Sequence, residues 1–326
     1  MPTRVKDFLS RSLPLAVLTL VQARKLIVCV TILKVNRTSR SFAVKLLPVA
    51  IASLLLATAV AAQKNDKQPT GPLMTRTTAR HENYRLPFGG TVTVLGAPMG
   101  SITIEGWQKN EIDISASIEL QGPNAAALDQ LALVNGFAVD VDLNHVRILT
   151  TGTHDRVFMK KNTKNFPKTL IGLPWKIDYV IKVPALTDLE VDGGVGAVNL
   201  TGVEGALRLN VLKSEANLSL TGGLVSATVQ SGAINLTIPS RGWHGLGAEF
   251  RMASGNLNVT LPPGFSADLN ADVLRLGEIK NSFALEPRDR NNVNARSMRA
   301  RAGNGGATLN FTVGDGTIVI KQSGGQ

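Results

Sequence analysis

From Leu86 onward, apolar and polar residues alternate with a period of two. In GSITIEGW (Gly100 to Trp107), Ile102 and Ile104 alternate with Ser101, Thr103 and Glu105; in NEIDISASIEL, Ile112, Ile114 and Ile118 alternate with acids and serines. This is the pattern of half-buried antiparallel strands. One stretch breaks it. GPNAAALDQLALV offers Asn124 as a cap, three consecutive alanines, then Leu128, Leu131 and Leu133 before Gly136, and predicts a single short helix. Strands resume at FAVDVDL and VRILTT. A polar, basic insertion, His154 to Lys168, reads as a loop, and KIDYVIKVP is a further strand closed by Pro184.

After that proline the chain repeats. GAVNLTG at Gly196 returns as EANLSLTG, GAINLTIP, GNLNVTLP and GATLNFTV, which place Asn199, Asn217, Asn235, Asn258 and Asn310 in equivalent settings. The first two intervals are 18 residues, and the third is 23 because SRGWHGLG (Ser240 to Gly247) widens one corner. Such spacing predicts a β-solenoid, whose units bury their apolar faces only by stacking on neighbours. Val198, Ala216, Ile234 and Leu257 should align, as should Leu200, Leu218, Leu236 and Val259; in the other strand of each unit, so should Leu189, Leu207 and Val225. Period-two geometry turns these inward and the Asn and Ser/Thr positions outward. Glu190 and Arg208, 18 residues apart, should then sit side by side.

Charge divides the chain unevenly. Residues 1–62 hold nine Lys or Arg and one acid, whereas the rest holds 26 basic and 23 acidic residues, so the net charge of +11 belongs mostly to the leader. That leader reads as an export signal: Arg37, Arg40 and Lys45, an apolar run over residues 46–56, and Ala59-Val60-Ala61 as a small-residue exit with cleavage at Ala61 or Ala62. Left uncleaved, the apolar stretch from Ser41 to Ala62 approaches spanning length, and it is the one feature that would tie the chain to a membrane. The lone cysteine, Cys29, lies in the leader, so a mature chain has no disulfide and no thiolate. The expected organisation is a leader (1–62), a polar flexible tether (63–85), an N-terminal β-rich region (86–185) and the repeat (186–326). The expected location is extracytoplasmic, in the periplasm or at the cell surface.

GSITIEGW, DYVIKVP, the short Gly-bounded strands of 196–238 and the terminal GDGTIVIK together resemble the bacterial "putative adhesin" family of exported β-strand-repeat proteins. The resemblance covers about Leu86 to Lys321. It implies an all-β fold, a right-handed β-solenoid outside the cytoplasm, and an adhesin-like binding or structural role at the envelope. It carries no catalytic motif, cofactor or metal site.

The residues themselves point the same way. Glycoside hydrolysis needs two carboxylates about 5–9.5 Å apart, but Ala216 to Ala248 contains no Asp or Glu, and Asn210 and Thr228 replace Asp192 on the next two units. A carbohydrate-active enzyme is therefore the alternative reading, below a non-enzymatic one. His81, His145, His154 and His244 lack metal-ligand spacing. The candidate binding residues lie in the basic insertion: Arg156, Lys160, Lys161, Lys164 and Lys168 with Phe158 and Phe166, a mixture that grips an anionic partner through charge and stacking. Export directs this at an envelope polysaccharide or anionic surface polymer and away from nucleic acid. A second basic segment, Arg288 to Arg301, and three tryptophans, Trp107, Trp175 and Trp243, complete the candidates. Five sugars on successive strands about 4.8 Å apart would collide, so the Asn motif reads as a rung marker and not as a set of glycosylation sites.

Overall fold

A computed structural model describes residues 71–163, 165–283, 285–287 and 295–324. The leader and the tether up to residue 70 lie outside the described residues. The elements run β1 (Met74–Arg85), β2 (Gly90–Met99), β3 (Ile102–Trp107), β4 (Glu111–Gly122), α1 (Ala125–Ala132), β5 (Gly136–Asp142), β6 (His145–Thr151), α2 (Arg156–Asn162), a 3-10 turn (Lys168–Leu170) and β7 (Trp175–Pro184). They continue with β8 (Thr187–Val195), β9 (Val198–Thr201), β10 (Ala206–Ser219), β11 (Gly222–Thr237), β12 (His244–Leu261), β13 (Ala267–Asn281), β14 (Glu286–Pro287), β15 (Ser297–Ala302) and β16 (Thr308–Gln322). Among the described residues the protein is predominantly β, with two α-helices.

Each long strand carries two half-rungs. In β10, Leu207, Leu209 and Val211 are buried at odd positions, while Ala216 and Leu218 are buried at even ones, with the switch at residues 212–215. Alternation on a flat strand cannot change parity, so the chain bends there and both halves bury the same interior. Leu189, Leu207 and Val225 from first halves line one internal void together with Leu200 and Leu220 from second halves.

The rungs pair in parallel and in register. Leu189, Leu207 and Val225 align across β8, β10 and β11. Val198, Ala216, Ile234 and Leu257 align across β9 to β12, and so do Leu200, Leu218, Leu236 and Val259. The widened corner is taken up by an irregularity between Gly222 and Leu224, opposite His244 and Gly247.

Chain order departs from stacking order twice. β2 lies between β6 and β8, and β3 between β7 and β9, all in parallel. β16 lies between β12 and β13, parallel to both, so the last strand fills a rung that the chain first passes over. The described residues of 86–185 and of 186–326 consequently share one stack and one continuous apolar core.

The structure corrects four expectations. β3, expected to be antiparallel, is parallel to both neighbours, because β2 and β3 form a rung inside the stack. The tether ends early: β1 pairs antiparallel with β4 over Met74 to Arg85. Its residues are polar on both faces because it is an edge strand, and that leaves no period-two signal. Arg80 and Arg76 cover the core end, the first 4.2 Å over the Phe137 ring and the second 2.7 Å from Asp129 of α1. The basic insertion contains a second helix, α2, where Asp155 accepts hydrogen bonds from the Val157 and Phe158 N–H groups. Finally, Asn310 is not the fifth equivalent of Asn258. It pairs with Glu249 and Asn270 in a first half-rung, and Val319 takes the place beside Asn258.

Candidate functional site

Two surfaces follow from this frame. The first is the outer face of the second half-rungs. Asn217 donates its side-chain N–H to Asn199 Oδ1 at 2.9 Å, Asn235 to Asn217 at 2.8 Å, and Asn258 to Asn235 at 2.8 Å. Asn199 continues the chain to Thr103 Oγ1 at 3.3 Å. In-register parallel pairing brings identical carboxamides to strand spacing, where Asn199, Asn217 and Asn235 each donate to one neighbour and accept from the other, and Asn258 ends the run as a donor. Two residues on, Thr201, Ser219, Thr237 and Thr260 form a parallel column, with Thr201 and Thr237 exposed. With Nδ2 engaged within a strand, these Asn are poorly placed as sugar acceptors.

Carboxylates on the first half-rungs are tied up in structure. Glu190 lies 3.3 Å from Arg208, as the 18-residue spacing predicted. Asp192 accepts from Asn210 at 2.9 Å, and Asp188 from the Ala206 N–H at 2.7 Å. No group of three or more His, Cys, Asp or Glu side chains that could hold a metal gathers among the described residues. His81 meets Asp113 and His145 meets Thr93, each at 2.8 Å, while the His154 ring lies against Trp175 at 5.4 Å. Burial pushes the His154 imidazole below its ordinary pKa against the opposing pull of Asp155.

The second surface is the basic insertion. Met159 is buried and Phe166 packs partly on the core, which pins α2 and the turn after it. Arg156, Lys160, Lys161 and Lys168 are exposed, and none makes an ion pair with a described residue. Lys164 lies outside the described residues. Lys161 and Phe166 line one open groove of about 650 Å³ with Leu133 and Val134 from the end of α1. Phe158 is half-buried and, like Arg156, Lys160 and Lys168, does not line it. The α1 side of this groove, with Leu133 84% exposed, is not legible in the sequence, where Leu133 falls within the apolar stripe of the helix.

The other candidates are absorbed by the fold. Arg299 pairs with Asp272 at 2.7 Å, Arg301 with Asp268 at 3.3 Å, and Arg296 donates to the Arg275 carbonyl at 2.9 Å. Residues 288–294 of that segment lie outside the described residues. Trp175 and Trp243 are buried, and Trp243 donates to the Gly223 carbonyl at 3.0 Å, so they cap the interior and offer no stacking platform. Trp107 is half-buried beneath Lys109, 4.5 Å from its ring.

No family model and no curated protein matches the chain. Among solved structures it is similar to a "putative cell adhesion protein" from Clostridium sporogenes ATCC 15579, at 13% identity and a TM-score of 0.41, covering 76% of this chain and all of that one. It is similar also to a "putative adhesin" from Bacteroides fragilis NCTC 9343, at 14% identity and a TM-score of 0.30, covering 76% of this chain and 97% of that one. A "putative lipid binding protein" from Parabacteroides distasonis ATCC 8503 follows at 12% identity and a TM-score of 0.21, with 76% and 97% covered.

Proposed function

We propose that this is an exported, non-catalytic protein of the cell envelope or surface, with an adhesin-like binding or structural role, whose rungs wind as a right-handed β-solenoid. The observation that carries this reading is the column of four hydrogen-bonded carboxamides, Asn199 to Asn258, with its neighbouring Ser/Thr column. A ladder of this kind fixes a polar, repetitive face whose spacing is set by the backbone. It supplies regularly placed donors and acceptors for a repetitive partner. The acids that a hydrolase or lyase would need are engaged by Arg208, Asn210 and the backbone. The basic insertion adds a contact to an anionic envelope component.

The test is incubation of the protein with isolated envelope polymers, measuring retention and soluble product together. Retention without product is expected, and product release would overturn the non-catalytic reading in favour of a carbohydrate-active enzyme. N-terminal sequencing after export checks the leader, with a new terminus after Ala61 or Ala62 as the expected result.

A further inference from the structure

The basic insertion carries more than charge. We propose that the outer surface formed by α2 and the end of α1 docks on an anionic lipid bilayer, the lysines meeting headgroup phosphates while Leu133 and Val157 enter the interface. This rests on the envelope reading above and names the anionic component that the insertion contacts.

Two observations lead here. Segment His154 to Leu170 holds five Lys or Arg and one acid, Asp155, and that acid is spent on capping α2. Its described cations are exposed and form no ion pair with a described residue. Beside them stand apolar tips that the fold leaves uncovered: Leu133 is 84% exposed and Val157 76%. Val157 lies three and four residues before Lys160 and Lys161, so the three share one side of α2. A soluble polyanion is satisfied by the charges alone, and exposed Leu and Val would gain nothing from it. A bilayer interface takes both, since apolar tips sink to the acyl boundary while lysines remain at the phosphates.

Residues 65–326 form a compact unit of their own with one continuous core, so this segment can be tested without the apolar leader. Co-sedimentation is measured with vesicles of pure phosphatidylcholine and with vesicles containing about one-third phosphatidylglycerol. Partition onto the anionic vesicles is expected, falling steeply with salt. The K160E/K161E/K168E variant should lose about a hundredfold or more in partition, since each cation near a charged surface is worth roughly fivefold. L133S/V157S should lose several-fold, and K213E, on an exposed corner of β10, should change little. Circular dichroism and urea midpoints confirm that each variant is folded. Equal binding to both vesicle types, or unchanged binding by the triple variant, would overturn the proposal. Retention on soluble envelope polymers with no vesicle binding would sink the bilayer and leave the envelope-binding reading standing, whereas failure on vesicles and polymers alike would remove both.

Discussion

Gly255→Ala tests the rung geometry most directly. Gly255 sits at the corner of β12 with φ +135°, and a Cβ built there would lie 2.0 Å from the carbonyl oxygen of Gly232 on the adjacent rung. Gly316 repeats the situation one rung further, with φ +145° and a Cβ 1.7 Å from the Gly255 oxygen. The backbone conformation alone costs an L-residue about 1–3 kcal/mol. An ordinary carbon–oxygen contact is above 3 Å, so the rungs must also part by more than 1 Å at this corner. That disrupts one or two ladder hydrogen bonds at roughly 1 kcal/mol each. The total, about 2–5 kcal/mol, lies at the upper end of single-substitution effects. For a unit of this size it lowers Tm by roughly 5–15 °C. Thermal and urea unfolding of Gly255→Ala are compared with those of Gly71→Ala, where nothing lies within 4 Å of the added carbon. Gly255→Ala within about 1 kcal/mol of the parent protein would refute the close stacking of corners.

Three further outcomes are expected. Asn235→Ala removes the bonds donated to Asn217 and, at 3.4 Å, to Glu215, and the one accepted from Asn258; because the site is half-buried and water replaces part of them, the loss in urea unfolding should be about 1–2 kcal/mol. Deleting residues 308–326 strips the parallel ladders on both sides of β16 and leaves β12 and β13 with open edges, so loss of cooperative unfolding and a tendency to aggregate should be seen by calorimetry and light scattering. Burial alone would raise the Asp178 carboxyl, but the Ser101 N–H and hydroxyl and the Lys176 ammonium outweigh it and hold the pKa below its ordinary value. A depressed carboxylate contributes stability above the ordinary range, near pH 4, and loses it as pH falls through the folded-state value; Asp178→Asn should therefore flatten the fall in urea midpoint on acidification.

How much of this was legible depended on whether neighbours in space were neighbours in period. The 18-residue interval placed Glu190 beside Arg208 and Asn199 beside Asn217 and Asn235, because successive rungs of equal length must stack their equivalent positions. Asn124 was legible as a helix cap for a local reason, its side chain accepting the Ala127 N–H at 2.8 Å. The same logic misled at Asn310, where the string resembles the others but occupies the opposite half of its rung. In the basic insertion, the charges of Lys160 and Lys161 were plain, while α2 was hidden by its shortness and polarity.

The sequence by itself determined the strand period, the inward residues of each repeat and the corner widened by SRGWHGLG, since each is a property of residues close along the chain. Only the tertiary structure decided that β2 and β3 enter the stack between β6/β7 and β8/β9, that β16 fills the rung between β12 and β13, and that Leu133 joins Lys161 and Phe166 in one groove. The physical reason is that a parallel ladder is satisfied by any strand of matching length and inward pattern. Which strand takes each place depends on the closure of the whole core and not on any local signal.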